Sequence, residues 1–508
     1  PSGVAILQDL KRFANLGSVL MVAAHPDDEN TQLITYLARG RGYRTAYLSV
    51  TRGDGGQNVL GPEFGEELGV IRTQELLSAR RLDGGRQFFT RAIDFGFSKD
   101  FQETLGIWDR KQVLGDVVRV IRIFRPDVIV TRFSPKPGNT HGHHTASAVL
   151  ALDAFKIAGD PKAYPEQLVG DMKPWQPKRI FMNGGGPRGN DAAGANPSAI
   201  RIDDGGTDPV LGESFGGIAR RSRAMHKTQG FGNFAIGAGG GGPHQEAFVL
   251  LDGEPATADI LDGVDTTWNR VPSGGAAIAT AVDAAIKSFS VDNPAASAPA
   301  LLDIRGKLAG GAADDIVVNE KRRQLDRIIA DCIGLSVQTT VPRAEYVPGE
   351  TLELHHTVTM KSPTTAVRWV AVHYPKTSGG VATMVDLHAN DPAARDLTQT
   401  LPSGTPLSQP YWLREEGTAG MFRVDDPALI GRPENPPAFP VEFVFDIGGQ
   451  TLIIPDEPVA ISSDAKRGEL RRRLDVIPPV SLSFASQVRL FTPGASRSVD
   501  VEAIAYRA

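Results

Sequence analysis

The run Val19-Leu20-Met21-Val22-Ala23 constrains the fold of this 508-residue chain more than any other segment. A short, continuous apolar run without polar alternation reads as a strand buried on both faces, as in a parallel sheet covered by helices. It is closed at once by Ala24-His25-Pro26-Asp27-Asp28-Glu29. Proline cannot donate to a strand ladder, so the strand stops there. One imidazole and two adjacent carboxylates are thereby delivered to a single sheet edge. In an open α/β sheet the carboxyl edge is where ligands bind. These are also the residue types that a divalent metal and a general base require.

Further strand-like segments lie at 45–51, 127–133, 179–182 and 247–251, after the first at 18–24. Helical patterns separate them at 31–39, 69–82 and 111–124, the last carrying Val113, Leu114, Val117, Val118, Ile121 and Phe124. This alternation predicts a Rossmann-like α/β fold over residues 1–333, a parallel sheet flanked by helices, ending in helical stretches at 276–289 and 314–333. From Leu335 the texture changes to short alternating or β-branched runs, such as 351–360 and 367–373, separated by turns such as Val347-Pro348-Gly349-Glu350. Residues 334–462 read as an Ig-like β-sandwich, and 463–508 as a linker leading into further β structure. Trp369, Tyr411 and Trp412 read as core aromatics of that region rather than sugar platforms, and His355-His356 as strand surface.

Two Gly-rich stretches, 183–196 and 237–242, read as surface loops. No Lys-Ser/Thr follows Gly240-Gly241-Gly242, so it is not a phosphate loop. No Gly-x-Gly-x-x-Gly follows the first strand, which weighs against a dinucleotide site. The formal charge of −5 points to neither a nucleic-acid nor a membrane-surface partner. No apolar stretch approaches the length of a membrane span. Cys332 is the only cysteine, so a metal site must be built from histidines and carboxylates. The chain opens at Pro1 and no signal peptide is visible in it.

A second polar cluster, Asn139-Thr140-His141-Gly142-His143-His144, follows the strand at 127–131. His141 and His144 share a face if that turn is helical. Both clusters fall at carboxyl ends of strands in one sheet, so they can converge although about 115 residues separate them. Two histidines and one aspartate leave a coordination position open, the arrangement of a catalytic metal. Of two adjacent carboxylates, one can coordinate while the other stays free as a base; either aspartate could equally cap the helix that begins near Asn30. Arg52, Asp54 and Asn58 follow the second strand at the same edge and are candidate pocket residues.

The motif A-H-P-D-D-E after the first strand, with a later H-x-x-H, resembles the LmbE/PIG-L family of zinc-dependent N-acetylglucosaminyl de-N-acetylases. The resemblance extends over about the first 250 residues and includes Gly69-Val70-Ile71-Arg72-Thr73-Gln74-Glu75-Leu76 and Met225-His226-Lys227-Thr228-Gln229. It implies a Rossmann-like hydrolase acting on an N-acetylated sugar or glycan and releasing acetate. Carried over by position, it implies His25, Asp28 and His144 as ligands of Zn2+, or of another divalent ion that such ligands also accept. It implies Asp27 as general base and a protonated His141 that stabilises the intermediate or protonates the leaving amine. Arg72 would contact the sugar, unless it merely pairs with Glu75, and His226 would line the pocket. One position departs from the family, which often has His-Pro-Asp-His where this chain has His141-Gly142-His143-His144. His143 replaces a carboxylate, so the imidazole that carboxylate would orient needs another partner, or His143 itself becomes a ligand. The altered cluster keeps a non-catalytic carbohydrate-binding protein as a second reading, and another small amide as a third. The β modules, by analogy with accessory sandwiches, imply a secreted or periplasmic enzyme.

Overall fold

The computed structural model describes residues 1–138, 140–184, 196–233, 242, 244–309, 315–486 and 489–506. Asn139 and most of the two Gly-rich stretches lie outside the described residues. The chain forms two compact units, Pro1–Cys332 with Pro410–Glu434, and Ile333–Gln409 with Asn435–Ala508.

The first unit is built on strands β1 (Ser18–Ala23), β2 (Arg44–Thr51), β3 (Arg86–Ala92), β4 (Val128–Thr131), β5 (Arg179–Asn183), β6 (Ile200–Asp203) and β7 (Gln245–Gly253). They form one sheet in the order β3-β2-β1-β4-β5-β7-β6. The first five run parallel, as the alternating pattern requires. β7 and β6 continue the sheet in antiparallel pairs. Every residue of β1 and β2 is buried, which demands helices on both faces. These come from α1 (Gly3–Ala14), α2 (Thr31–Thr35), α3 (Glu66–Asp83), α4 (Phe101–Ile107), α5 (Arg110–Phe124) and α6 (Gly142–Ile157). On one face Leu20, Val22 and Ile129 pack against Val117 and Ile121 of α5 and Leu150 of α6. On the other, Val19, Met21 and Val130 meet Leu33 and Ile34 of α2 and Leu76 of α3. The helix expected over 31–39 splits, with α2 passing into a π-helical turn at Tyr36–Gly40.

Residues Pro410–Glu434 belong to the first unit rather than to the sandwich in which local texture places them. Tyr411, Trp412, Phe422, Val424 and Ile430 make a buried cluster with Val70 and Ile93. Ala92 and Met421 form an antiparallel bridge, and the Ile93 N–H donates to Gly420 O at 3.0 Å. The segment thus covers the outer edge of β3, which would otherwise expose unpaired backbone groups. Arg52 anchors it. The Arg52 guanidinium is 3.3 Å from the centre of the Trp412 ring and 4.3 Å from that of Phe89. It donates to the carbonyls of Arg432 and Pro433 at 3.1 and 3.0 Å.

The second unit contains two main sheets. Five strands, Ser336–Val341, Thr351–Thr359, Ala393–Thr400, Val459–Asp464 and Gly468–Arg473, make one; Val367–Tyr374, Gly379–Asp386, Val441–Ile447 and Gln450–Asp456 make the other. Alternation along Thr351–Thr359 buries Leu352, Leu354, His356 and Val358. His356 is therefore an interior residue and not strand surface. Its Nε2 lies 2.8 Å from Tyr374 Oη and its Nδ1 3.0 Å from Thr339 Oγ1, while its ring meets Phe443 edge-on. The two sheets therefore face each other. Trp369 is fully buried, as expected of a core aromatic. The charged stretch after 463 is not a linker, since Gly468–Arg473 pairs with Val459–Asp464. Val480–Phe484 pairs with Val501–Ala505.

Trp412→Ala removes a buried ring stacked on a buried guanidinium. It should destabilise the first unit by about 3–5 kcal/mol, the range for deleting a large buried aromatic. An unchanged midpoint in guanidinium unfolding would show that the segment is only loosely applied.

Candidate metal centre

After β1 the chain turns sharply. Thr51 N–H donates to Ala24 O at 2.9 Å, and Tyr47 Oη donates to His25 O at 2.6 Å. Asp27 then takes φ 96°, a left-handed conformation that costs a non-glycine residue of order 1–3 kcal/mol. Buried groups hold it there. Asp27 N–H donates to Glu29 Oε2 at 2.8 Å, and Arg223 donates to Asp27 O at 3.0 Å. Arg72 donates to Pro26 O, to Gly53 O at 3.1 Å and to Asp27 Oδ1 at 3.2 Å. Glu29 is in turn fixed by His226 Nε2 at 2.8 Å and Arg80 at 3.2 Å. Burial opposes its charge, yet His226 and Arg80 hold the carboxyl well below the usual range.

The turn aims the two adjacent aspartates differently. Asp28 Oδ2 lies 3.0 Å from His25 Nδ1, and Asp28 Oδ1 3.4 Å from His144 Nε2. One donor atom from each of the three lies within 4.8 Å of the others. Ligand bonds of about 2.0–2.1 Å at a tetrahedral ion place neighbouring donors about 3.3 Å apart, so this spacing fits a divalent ion. Burial opposes the Asp28 charge, but His144 and His25 hold it well below the carboxylate range, in the ionised state a ligand needs. His144 is oriented by Thr140 Oγ1, 2.9 Å from its Nδ1, and by Phe133, stacked at 3.8 Å and 4°. A second trio, His25, His141 and His143, is equally close but contains no carboxylate.

His143 stands behind the ligands. Its Nδ1 is 3.1 Å from His25 Nε2, the nitrogen facing away from Asp28. Asp94 lies beyond, 3.6 Å from His143 Nδ1 and 3.8 Å from His25 Nε2. Burial, aided by the other histidines, pushes His143 down to about 2. It is neutral at pH 7, and with His25 holding an ion through Nδ1 it would accept from His25 Nε2–H, the orienting contact that a carboxylate would make. His141 caps α6 by accepting the His143 N–H at its Nδ1, 3.1 Å away. Its proton therefore sits on Nε2. Burial, with His25 and His144, pushes His141 down to about 4. The protonated His141 expected from sequence is thus a neutral N–H donor at pH 7.

The remaining candidates divide. Asp54 is buried and lines a cavity of about 330 Å³ with Phe64, Glu66, Asp94, Phe95 and Phe422. Arg52 is wholly buried and engaged by Trp412 and the carbonyls of 432 and 433, so it does not reach a pocket. His226 is wholly buried and supports the turn through Glu29 instead of lining the pocket. Arg72 is buried too, holding Asp27, and does not pair with Glu75. Glu75 accepts instead from Thr228 N–H and Oγ1 at 2.8 and 2.6 Å. Asn58 donates to Glu63 O within its own loop. Asp94, Phe133 and Glu29 were not anticipated. Asp94 follows β3 at the carboxyl edge, and reading 86–92 as a strand would have found it.

Residues 20–155 match the family model PIG-L, described as GlcNAc-PI de-N-acetylase. The chain is 28% identical over 181 residues to mycothiol S-conjugate amidase of Streptomyces coelicolor, covering 33% of this chain and 60% of that protein. It is 28% identical over 182 residues to 1D-myo-inositol 2-acetamido-2-deoxy-alpha-D-glucopyranoside deacetylase of Streptomyces avermitilis, covering 32% and 60%. The protein of that name from Streptomyces griseus is 25% identical over 308 residues, covering 52% and 94%. The chain thus spans about 60% of the length of the first two relatives. Among solved structures, N,N'-diacetylchitobiose deacetylase from Pyrococcus horikoshii has 18% identity and a TM-score of 0.33, covering 46% of this chain and 83% of that one. A likeness that slight carries no argument.

Burial, with Asp94 adding, raises Asp54 to about 7 from its ordinary 3.8. The folded protein keeps this proton where the unfolded chain has lost it. The stability Asp54 contributes is thus present below pH 3.8 and disappears as pH rises to about 7. In metal-free protein, Asp54→Asn should gain stability over wild type progressively from pH 4 to pH 7. Thermal midpoints at pH 4, 5.5 and 8 test this, and a flat difference would refute it.

Proposed function

We propose that this chain, whose residues 20–155 match the PIG-L model, is a zinc-dependent hydrolase that removes the acetyl group from an N-acetylated amino sugar or glycan. The observation that carries this reading is the division of labour between neighbouring aspartates. Asp28 lies between two imidazoles, while Asp27 keeps its side chain 21% exposed, with Arg72 on Oδ1. A divalent ion at His25, Asp28 and His144 would polarise the acetamide carbonyl and bring the pKa of water toward neutrality.

The chain's own residues then supply the proton transfers. Burial raises the Asp27 pKa, with Arg72 opposing and Asp28 adding, which makes Asp27 a better base than a free aspartate. Asp27 accepts the proton of the attacking water. His141 offers its Nε2–H to the carbonyl oxygen as negative charge develops there. Asp27 returns its proton to the departing nitrogen, leaving acetate and a free amino sugar. Two relatives, named for an amidase and for a 2-acetamido-2-deoxy-sugar deacetylase, support the amide class of substrate. The cavity beside Asp94 mixes carboxylates with the rings of Phe64, Phe95 and Phe422. Such a lining suits a sugar, whose ring has apolar faces and a polar rim. The β-sheet unit, as an Ig-like accessory module, favours action outside the cytoplasm, by analogy.

Asp27→Asn should retain the metal and release acetate from N-acetylglucosamine-type substrates about 10²–10⁴-fold more slowly. Asp28→Asn should lose the metal and the activity together. Elemental analysis beside an acetate assay decides both, and an active Asp27→Asn enzyme would sink the assignment of the base.

A further inference from the structure

A separate group of ligand-type side chains stands at the same carboxyl edge of the sheet, where β6 and β7 meet. Asp203 pairs with Gln245, and Asp204 N–H donates to His244 O at 2.9 Å. His244 N–H donates in turn to Asp203 Oδ1 at 3.0 Å. This antiparallel pair brings Asp204, His244 and Glu246 together, with one donor atom of each within 4.8 Å of the others. Asp204 and Glu246 are buried, whereas His244 is half exposed.

Two features go beyond an ordinary histidine–aspartate pair. His244 Nδ1 lies 2.6 Å from Asp204 Oδ1, but Asp204 Oδ2 is buried with no hydrogen-bond partner among the described residues. Such an orphaned acceptor is costly and calls for an explanation. Glu246, meanwhile, is held rigidly from behind. Its Oε1 accepts from Asn30 Nδ2 at 2.7 Å and its Oε2 from Asn183 Nδ2 at 2.6 Å. Amides that fix a carboxylate while leaving it lone pairs are what a metal ligand requires.

We propose that Asp204, His244 and Glu246 form a second divalent-cation site, distinct from the His25–Asp28–His144 centre. With the His244 ring deprotonated for coordination, two carboxylates and one imidazole would present a charge of −2 to a divalent ion; without an ion, burial opposes the His244 charge, yet Asp204 and Glu246 raise its pKa. One nitrogen and two carboxylate oxygens suit zinc or manganese better than calcium or magnesium. His244 Nδ1 is 4.0 Å from Glu246 Oε1, so the half-exposed His244 ring is the ligand that adjusts toward the separation of about 3.3 Å. Through Asn30, which follows the ligand turn by two residues, the ion would tie the β6–β7 strand pair to the first centre.

The test is metal stoichiometry, independent of activity. The 508-residue chain is stripped with chelator, dialysed against Zn2+ alone and analysed for metal per chain. The expected ratio is two for wild type and one each for His244→Ala, Asp204→Asn and Asp28→Asn. Asp28→Asn/His244→Ala should bind none. Circular dichroism confirms folding, and the isosteric Asp204→Asn guards against a folding defect in His244→Ala. One ion in wild type, or two ions retained by both His244→Ala and Asp204→Asn, overturns the proposal.

Discussion

The turn at Asp27 is the constraint on which the rest of the centre depends. Asp27 and Asp28 serve two purposes because the backbone turns between them, through a left-handed aspartate. That conformation is unfavourable by itself. It persists because α3 presses two buried arginines on it: Arg72 reaches Pro26 and Asp27, and Arg80 reaches Glu29. Glu75, on the same helix, grips Thr228, near His226, which closes the circuit on Glu29. Helix, turn and distal loop therefore stand or fall as one unit.

The histidine cluster answers a different problem. Four imidazoles crowd one edge, and their ring centres lie 4.4–5.3 Å apart in the pairs His25–His141, His25–His143, His25–His144, His141–His143 and His141–His144. They cannot all carry charge. Burial keeps His141 and His143 neutral, while Asp28 raises His25 against the same pressure. The carboxylate missing from the His141–His144 turn is replaced by a neutral acceptor, His143, with Asp94 behind it.

What the sequence made legible followed local chemistry. The apolar run of β1, the Pro-Asp-Asp turn and the His141–His144 spacing are written in neighbouring residues, and the structure brings these clusters together. The roles of Arg52, Arg72 and His226 were not, because a motif shows that an arginine is present but not which way it faces. Arg52 turned toward Trp412, about 360 positions away. β3 escaped notice because Arg86-Gln87-Phe88-Phe89-Thr90-Arg91-Ala92 mixes charge into a short edge strand, and Asp94 escaped with it. His356 was misplaced by treating two adjacent histidines alike, although a period of two sends one inward.

The segment Pro410–Glu434 also orders events in time. The first unit is interrupted at Cys332 and resumes only at Pro410. A chain emerging from the ribosome at roughly 5–20 residues per second therefore exposes an unfinished β3 edge for several seconds after the rest of that unit has appeared. Until Trp412 arrives, Arg52 lacks one of the two rings it lies against. During synthesis this unit depends on a sequence that has yet to be translated, and that interval is when its sheet is most open to wrong partners.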